Sequence, residues 1–381
     1  MWKIPFFRHD LGAPEIQAIT DVLAGPILTT GDTVKQFETR FAALLGCRHA
    51  LGVTSCTGAL HMAMTALGIG PGDEVITTPM SFIATSTAIL EAGATPVFVD
   101  VEGDTGNLDA ELVEAAITPR TKAILPVHLY GLMCDMVRLK EIADRRGLHI
   151  IEDGAHCIEG ERDGVRPGQN SAAACFSFYA TKNLTCGEGG AIITNDERLS
   201  QMFRLLSQHG MNKIANDRYR EGYAPWDMVA FGWKYNMSNI QAAILLPQFE
   251  RVEKNLRRRR DLANLYDRKL AGIADVKIPN SRGNAGHAHH LYTVWIENGR
   301  RDTVLSQLKA RGIECVVNYR PIHMMSFFRD RYGFKAGAFP NAERIGDETL
   351  SLPFYPTMPD EFVGLVADAI SDALRPPKTS T

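Results

Sequence analysis

Between Gly52 and Thr194, short apolar runs alternate with stretches whose apolar residues recur at helical spacing, and this alternation narrows the available folds more than any other feature. His49–Val53, Glu74–Thr78, Thr95–Asp100, Ala123–Val127 and His149–Asp153 read as strands. Gly58–Leu67, Ile83–Ala92, Asp109–Ile117 and Met136–Arg146 lie between them and read as helices. Strand–helix–strand units close as right-handed crossovers, so the pattern predicts an α/β fold with a mostly parallel sheet covered on both faces. Ligands of such sheets collect beyond the carboxyl ends of the strands, which directs attention to the residues that follow each run.

After Asn236 the pattern changes. A helical run from Ser238 to Ala271 carries Arg257–Arg260, but Glu250, Glu253, Asp261 and Asp267 share it, so it reads as a solvated helix face rather than a nucleic-acid surface. Strands at Tyr292–Ile296 and Glu314–Val317, with helices at Asp302–Arg311 and Pro359–Leu374, predict a smaller α+β domain. The division is placed at 1–250 and 251–381. A hydrophobic content of 45%, a charged content of 22% and a formal net charge of -3 fit a soluble globular chain without a nucleic-acid partner. No apolar run approaches membrane-spanning length, and Met1–Pro5 forms no apolar signal core. Seven cysteines without a CxxC pair argue for reduced thiols, and together these features predict a cytoplasmic enzyme.

Chemistry-bearing residues gather at the strand ends. Lys182 lies between the apolar run Ala172–Phe178 and the glycines Gly187, Gly189 and Gly190, which precede Ala191–Thr194. A lysine at such a corner is either a solvated surface charge or an amine held in a cleft, where desolvation lowers its pKa and frees it to attack a carbonyl. Asp153 ends its strand and is either a cap for Gly154–His156 or a buried carboxylate that needs a cation. The protonated ring nitrogen of pyridoxal phosphate would serve. In Ser55–Leu60, free amides and the Thr57 hydroxyl offer a phosphate cradle or an ordinary helix cap. Phe82 is either core or a flat ring for a flat cofactor. His128, His156 and His209 lack metal-ligand spacing, so no metal is predicted, and no GxSxG elbow supports a serine hydrolase.

Taken together, Asp153, the Thr57 turn and Lys182 give a chain that resembles the DegT/DnrJ/StrS family of pyridoxal-phosphate-dependent sugar aminotransferases, of fold type I (aspartate aminotransferase-like). The resemblance runs through Leu28–Gly31, Ser55–Leu60, Gly70–Ile76, Pro126–Gly131, Glu152–His156, the Lys182 segment, Lys234–Ala243 and Ser351–Pro353. It implies that Lys182 carries the cofactor and shuttles the proton, and that Asp153 pairs with the ring nitrogen. His156 lies near the ring hydroxyl, Phe82 stacks on the ring, and Thr57, Gly58 and Ser177 hold the phosphate. Lys234 or Asn236 reaches the phosphate site of a second copy in a homodimer with shared active sites. Thr30, Tyr319 and His323 stand beside the substrate. Gly154 replaces the more usual alanine, a change expected to be tolerated.

Within the family, the chain is most similar to the UDP-4-amino-4-deoxy-L-arabinose–oxoglutarate aminotransferase branch. The implied reaction moves the amino group of glutamate to a keto-sugar nucleotide, UDP-linked and at C4. Amination at C3, a keto-inositol substrate and a non-catalytic regulatory role are the alternatives. The related sugar 3-dehydratases carry histidine in place of the lysine, and Lys182 argues against them. No arginine is singled out by spacing for the carboxylates of glutamate.

Overall fold

The computed structural model describes residues 3–212, 225–280 and 286–375. The first half folds into β1 (His49–Val53), β2 (Glu74–Thr77), β3 (Thr95–Phe98), β4 (Thr121–Leu125), β5 (His149–Asp153), β6 (Ala173–Ser177) and β7 (Gly190–Thr194). Among the described residues these form one seven-stranded sheet in the order β1-β7-β6-β5-β4-β2-β3. The ladders from β3 to β6 are parallel, whereas β7 runs antiparallel to both β6 and β1. A loop without a crossover helix joins β6 to β7, and such a connection returns the chain antiparallel. That loop carries Lys182.

Both sheet faces are buried, as a sheet covered on two sides requires. Successive residues alternate between them. Val75, Ile151 and Ile192 join one core with Leu60, Met62 and Ala88, while Ile76, Ile150 and Ile193 point the other way. The alternating pattern does not announce the two helices before it, α1 (Ala13–Ala24) and α2 (Asp32–Leu45). Phe37, Phe41 and Leu45 repeat every fourth residue on α2 and pack on the β6 side of the sheet. Phe41 meets Phe176 at 5.2 Å and Phe37 meets Phe178 at 5.4 Å, edge to face. Each such pair adds about 0.5–1.5 kcal/mol beyond burial. They clamp the end of β6 from below.

A second core holds the three-stranded antiparallel sheet β8 (Val276–Lys277), β9 (Tyr292–Ile296) and β10 (Thr349–Leu352). The helices Val252–Leu270, Arg301–Ala310 and Asp360–Leu374 cover it, and Ile4 from the start of the chain is buried in the same cluster. Three expectations are corrected here. Residues 238–271 are not one helix: Asn239–Leu245 gives way to a tight 3-10 segment, Leu246–Arg251, where Pro247 lacks the amide that an α-helix would need. Glu314–Val317 makes only a single bridge, Val316 to Ser351, instead of a strand. Arg259 does not belong to a solvated face, being 4% exposed. No helix among the described residues is long and apolar enough to cross a membrane.

Candidate active site

Burial on either side of Lys182 fixes its turn. Phe178 is fully enclosed by Phe37 and Phe41, and Leu184 and Thr185 are buried beyond the lysine. The Lys182 amide donates to the Tyr179 carbonyl at 2.9 Å, closing the turn, and the Thr185 amide donates to Gln248 Oε1 at 3.1 Å. The half-buried side chain lies within reach of the charge of Asp153, at the end of β5. Burial lowers its pKa from 10.5 to about 8, against the opposing pull of Asp153. At pH 7 roughly a tenth of such amines are uncharged and able to act as nucleophile or base.

Asp153 is 5% exposed at the end of β5. Its Oδ2 accepts from the Thr85 hydroxyl at 2.7 Å, and its Oδ1 accepts from the Ala155 amide at 3.2 Å and faces the Cys56 thiol at 3.9 Å. Thr85 is oriented in turn by Ser81 at 2.8 Å, at the start of α4 (Ala84–Glu91). Burial pushes the Asp153 carboxyl above the usual range, with the Thr85 bond opposing it. Lys182 and Asp153 feel each other's charge but form no ion pair within 4.0 Å. An amine and a buried carboxylate thus stand within reach of each other's charge without closing into an ion pair.

The turn after β1 opens α3 (Cys56–Ala66). Ser55 caps it by accepting from the Gly58 amide at 3.0 Å, so the plain cap holds for that one amide. The amides of Cys56 and Thr57, and the Thr57 hydroxyl, have no acceptor among the described residues. This is the donor set that a phosphate takes up at a helix N-terminus. Gly190 lets the turn approach the sheet, since a Cβ there would lie 2.5 Å from the Ser55 carbonyl carbon and 2.6 Å from the Cys56 nitrogen. Ser177 pairs with Gly190 in the β6–β7 register, which brings its hydroxyl to the same edge.

His156 is buried after β5. Its Nδ1 accepts from the Tyr130 amide at 3.2 Å, so the ring proton sits on Nε2, 3.1 Å from the Tyr319 hydroxyl. Burial first, and the Lys182 charge second, hold His156 well below the usual histidine pKa, and the ring is neutral. Tyr319 lies nearly parallel to it at 6.0 Å, and Phe82, 58% exposed, stands 6.1 Å from Tyr319. Phe82 is therefore not core: a flat apolar ring is left open at the mouth of the cleft.

Other predicted residues lie elsewhere. Asn236 donates to Thr30 Oγ1 at 2.6 Å and Thr30 donates to the Met237 carbonyl at 2.7 Å, so these two stabilise each other at the start of α2. Lys234 is exposed. Tyr235, between them, lies over Gly58, where a Cβ would come within 3.2 Å of its ring. His323 is fully enclosed, 2.9 Å from Glu343 Oε1 and packed on Phe339 at 4.8 Å, which leaves no surface for a substrate. Thr85, Cys56, Asn183 and His290 were not singled out from the sequence. A hydroxyl in the first turn of a helix and a thiol in a small-residue turn carry no pattern, although His290 closes the conspicuous His287–His290 run.

The whole chain supports what this geometry indicates. The model of the DegT/DnrJ/EryC1/StrS aminotransferase family matches residues 9–371. The spore coat polysaccharide biosynthesis protein SpsC of Bacillus subtilis (strain 168) is 40% identical over 378 residues, 98% of this chain and 97% of that protein. The structure of S. venezuelae DesV in complex with a ketimine intermediate superposes with a TM-score of 0.92 at 38% identity, covering 99% of this chain and 100% of that one. DesI in the presence of its TDP-sugar product gives 0.85 at 31% identity, with 97% and 95% covered. Pyridoxal phosphate is the cofactor, as in a relative of this fold solved in that form. The unpaired amides of the Thr57 turn, the enclosed Asp153 carboxylate and the Lys182 amine fit its phosphate, ring nitrogen and aldehyde. The chain belongs to the DegT/DnrJ/EryC1/StrS aminotransferase family, and it is a pyridoxal-phosphate-dependent sugar aminotransferase.

Proposed function

We propose that the protein transfers the amino group of glutamate to the keto carbon of a nucleotide-linked sugar, UDP-linked and at C4, releasing 2-oxoglutarate and an amino-sugar nucleotide. The observation that carries the chemistry is the Lys182 amine, drawn to about 8 by burial and facing Asp153 without an ion pair. The TDP-sugar product of DesI supports a nucleotide-linked acceptor. When bound, the cofactor supplies an electron sink for the carbon that loses its proton and carries nitrogen between the two half-reactions. Lys182 Nζ removes and returns that proton. Asp153 holds a proton on the ring nitrogen, and its own raised pKa falls once a cation lies against it. Thr57 and Ser177 take the phosphate, with Gly58 keeping the turn close and its amide on Ser55. His156 stands beside the ring hydroxyl, Phe82 covers the ring face, and Tyr319 meets the substrate.

The proposal includes a homodimer. Trp226, Met228, Val229 and Phe231 are each more than half exposed and run directly into Trp233–Tyr235, which covers the phosphate turn at Gly58. A second copy would bury this apolar strip and bring Lys234 or Asn236 to its partner's phosphate. The enzyme works in the cytoplasm, where nucleotide sugars and reduced thiols are found; all seven cysteines are free.

Protein mixed with pyridoxal phosphate should show a visible absorption band that glutamate bleaches and a UDP-linked 4-keto sugar restores. A panel of UDP-, dTDP- and GDP-linked keto sugars and scyllo-inosose, read out by 2-oxoglutarate formation, identifies the acceptor. Restoration only by a 3-keto sugar or the inosose overturns the C4 assignment. Failure to bind the cofactor at all favours a regulatory relative.

A further inference from the structure

The residue after the lysine joins three separate parts of the chain. Asn183 Nδ2 donates to the Ala288 carbonyl at 3.0 Å and to Glu159 Oε2 at 2.9 Å. A carbonyl can only accept, so the amide orientation is set, and Asn183 Oδ1 must accept from His290 Nδ1 at 3.3 Å. His290, 6% exposed in the segment leading into β9, therefore carries its proton on Nδ1. Its ring covers the His156 ring at a centroid distance of 4.5 Å and an angle of 35°. His156 has the opposite tautomer, with Nδ1 accepting from the Tyr130 amide and Nε2 facing Tyr319. On the far side, Glu159 is buried and faces the charge of Arg259, the arginine that the long helix turns inward. The Tyr130 hydroxyl donates to the Asn318 carbonyl, which steadies the backbone next to Tyr319.

We infer that Asn183 and His290 are positioning residues: they seat beside Lys182 the His156 ring, whose proton the Tyr130 amide leaves on Nε2, directed at Tyr319. The consequence lies in proton placement. With His156 donating to the Tyr319 oxygen, the tyrosine's own hydrogen is left to donate into the cleft. Asn183 also ties the lysine turn to the 288–290 segment, so the orientation of the amine and that of the imidazole are set by one side chain. Neither Asn183 nor His290 needs to touch the substrate for this.

Long-range 1H–15N spectra of the histidine rings of the full chain, recorded with and without pyridoxal phosphate, test the arrangement. Single His156→Gln and His290→Phe variants assign the signals. The expected result is one tautomer at each ring, Nδ1–H at His290 and Nε2–H at His156. Asn183→Ala should abolish the single tautomer at His290. It should also slow the bleaching of the visible band by saturating glutamate about tenfold or more, with apparent glutamate affinity changed less than about threefold. The reverse tautomers in the unsubstituted protein overturn the inference, as does an Asn183→Ala protein that melts lower yet reacts at full rate. If Asn183→Ala does not fold, His290→Phe keeps the covering ring and removes only the Nδ1–H bond; an unchanged bleaching rate there overturns the inference too. The kinetic arm rests on the proposed transamination, whereas the tautomers are read without any reaction, so failure of the one is distinguishable from failure of the other.

Discussion

Two groups of predicted site residues met different fates. Lys182, Asp153, His156 and the Thr57 turn converge at one edge of the large sheet, whereas Thr30, Asn236 and His323 pair with other residues of their own chain. The first group sits at or just beyond strand ends, where sheet order and register leave each side chain little choice of place. The second sits on connections whose course depends on what packs against them. Asn236 is held by Thr30, and its own Oδ1 is buried without a partner among the described residues. A strand-end residue can be placed from the order of strands. A loop residue awaits its neighbours.

Substitutions in the two groups should therefore differ in kind. Lys182→Ala should lower kcat by about 10⁴-fold or more, because no nearby base can replace the amine that handles the proton. Full turnover in that variant would end the proposed mechanism. Asp153→Asn keeps the shape and the Thr85 contact but cannot hold the ring proton by charge, and a fall in kcat of roughly a hundredfold or more is expected in steady-state assays.

The next effect concerns stability. A Cβ at Gly154 would come 2.8 Å from Phe176 Cε1 and 3.2 Å from the Cys175 carbonyl oxygen, and Phe176 is locked against Phe41. The alanine more usual at this position thus has no room in this chain, and Gly154→Ala should cost about 1–3 kcal/mol in urea unfolding. A neutral result would show that the floor of the cleft yields more readily than its packing implies.

Lys182 has a thermodynamic signature of its own in the cofactor-free protein. Its pKa is about 8 folded and 10.5 in the open chain, so between these values the unfolded state binds more protons. Stability should rise as pH increases from 8 to 10.5. Below pH 8 a constant penalty of about 3 kcal/mol remains. Lys182→Met should lack this slope and be more stable at pH 7, and the difference between the two proteins cancels the titration of the cysteines. Asn236→Ala should have the smallest effect on the isolated fold, about 1 kcal/mol from the lost Thr30 bond. A larger loss of cofactor affinity than of stability, growing with protein concentration in the unsubstituted chain alone, would place Asn236 at the site of a second copy.

Much of the sheet was legible from the chain. Val75 and Ile76, or Ile150 and Ile151, do point to opposite cores, and period-two alternation between two buried faces leaves few other arrangements. The helix α2 is not legible from the strand–helix alternation because its Phe37–Phe41–Leu45 stripe lies outside it, although it supports the lysine turn. The site was legible where a residue type was unusual for its place, as with Lys182 among glycines. It was illegible where the functional atom was ordinary. Thr85 and Asn183 are common residues, and their importance comes only from the carboxylate or carbonyl that the fold brings to them.

By itself, the sequence determined the α/β class, the strand end at which Asp153 stands and the loop that carries Lys182, because short-range periodicity and turn chemistry act along the chain, while its motifs gave the resemblance to the family. Only the tertiary structure decided that Phe82 stays open while His323 closes, that Arg259 turns inward, and that two histidines hold opposite tautomers. Those outcomes depend on which donors, acceptors and rings meet across hundreds of residues, and desolvation and hydrogen-bond satisfaction act only once that meeting has occurred.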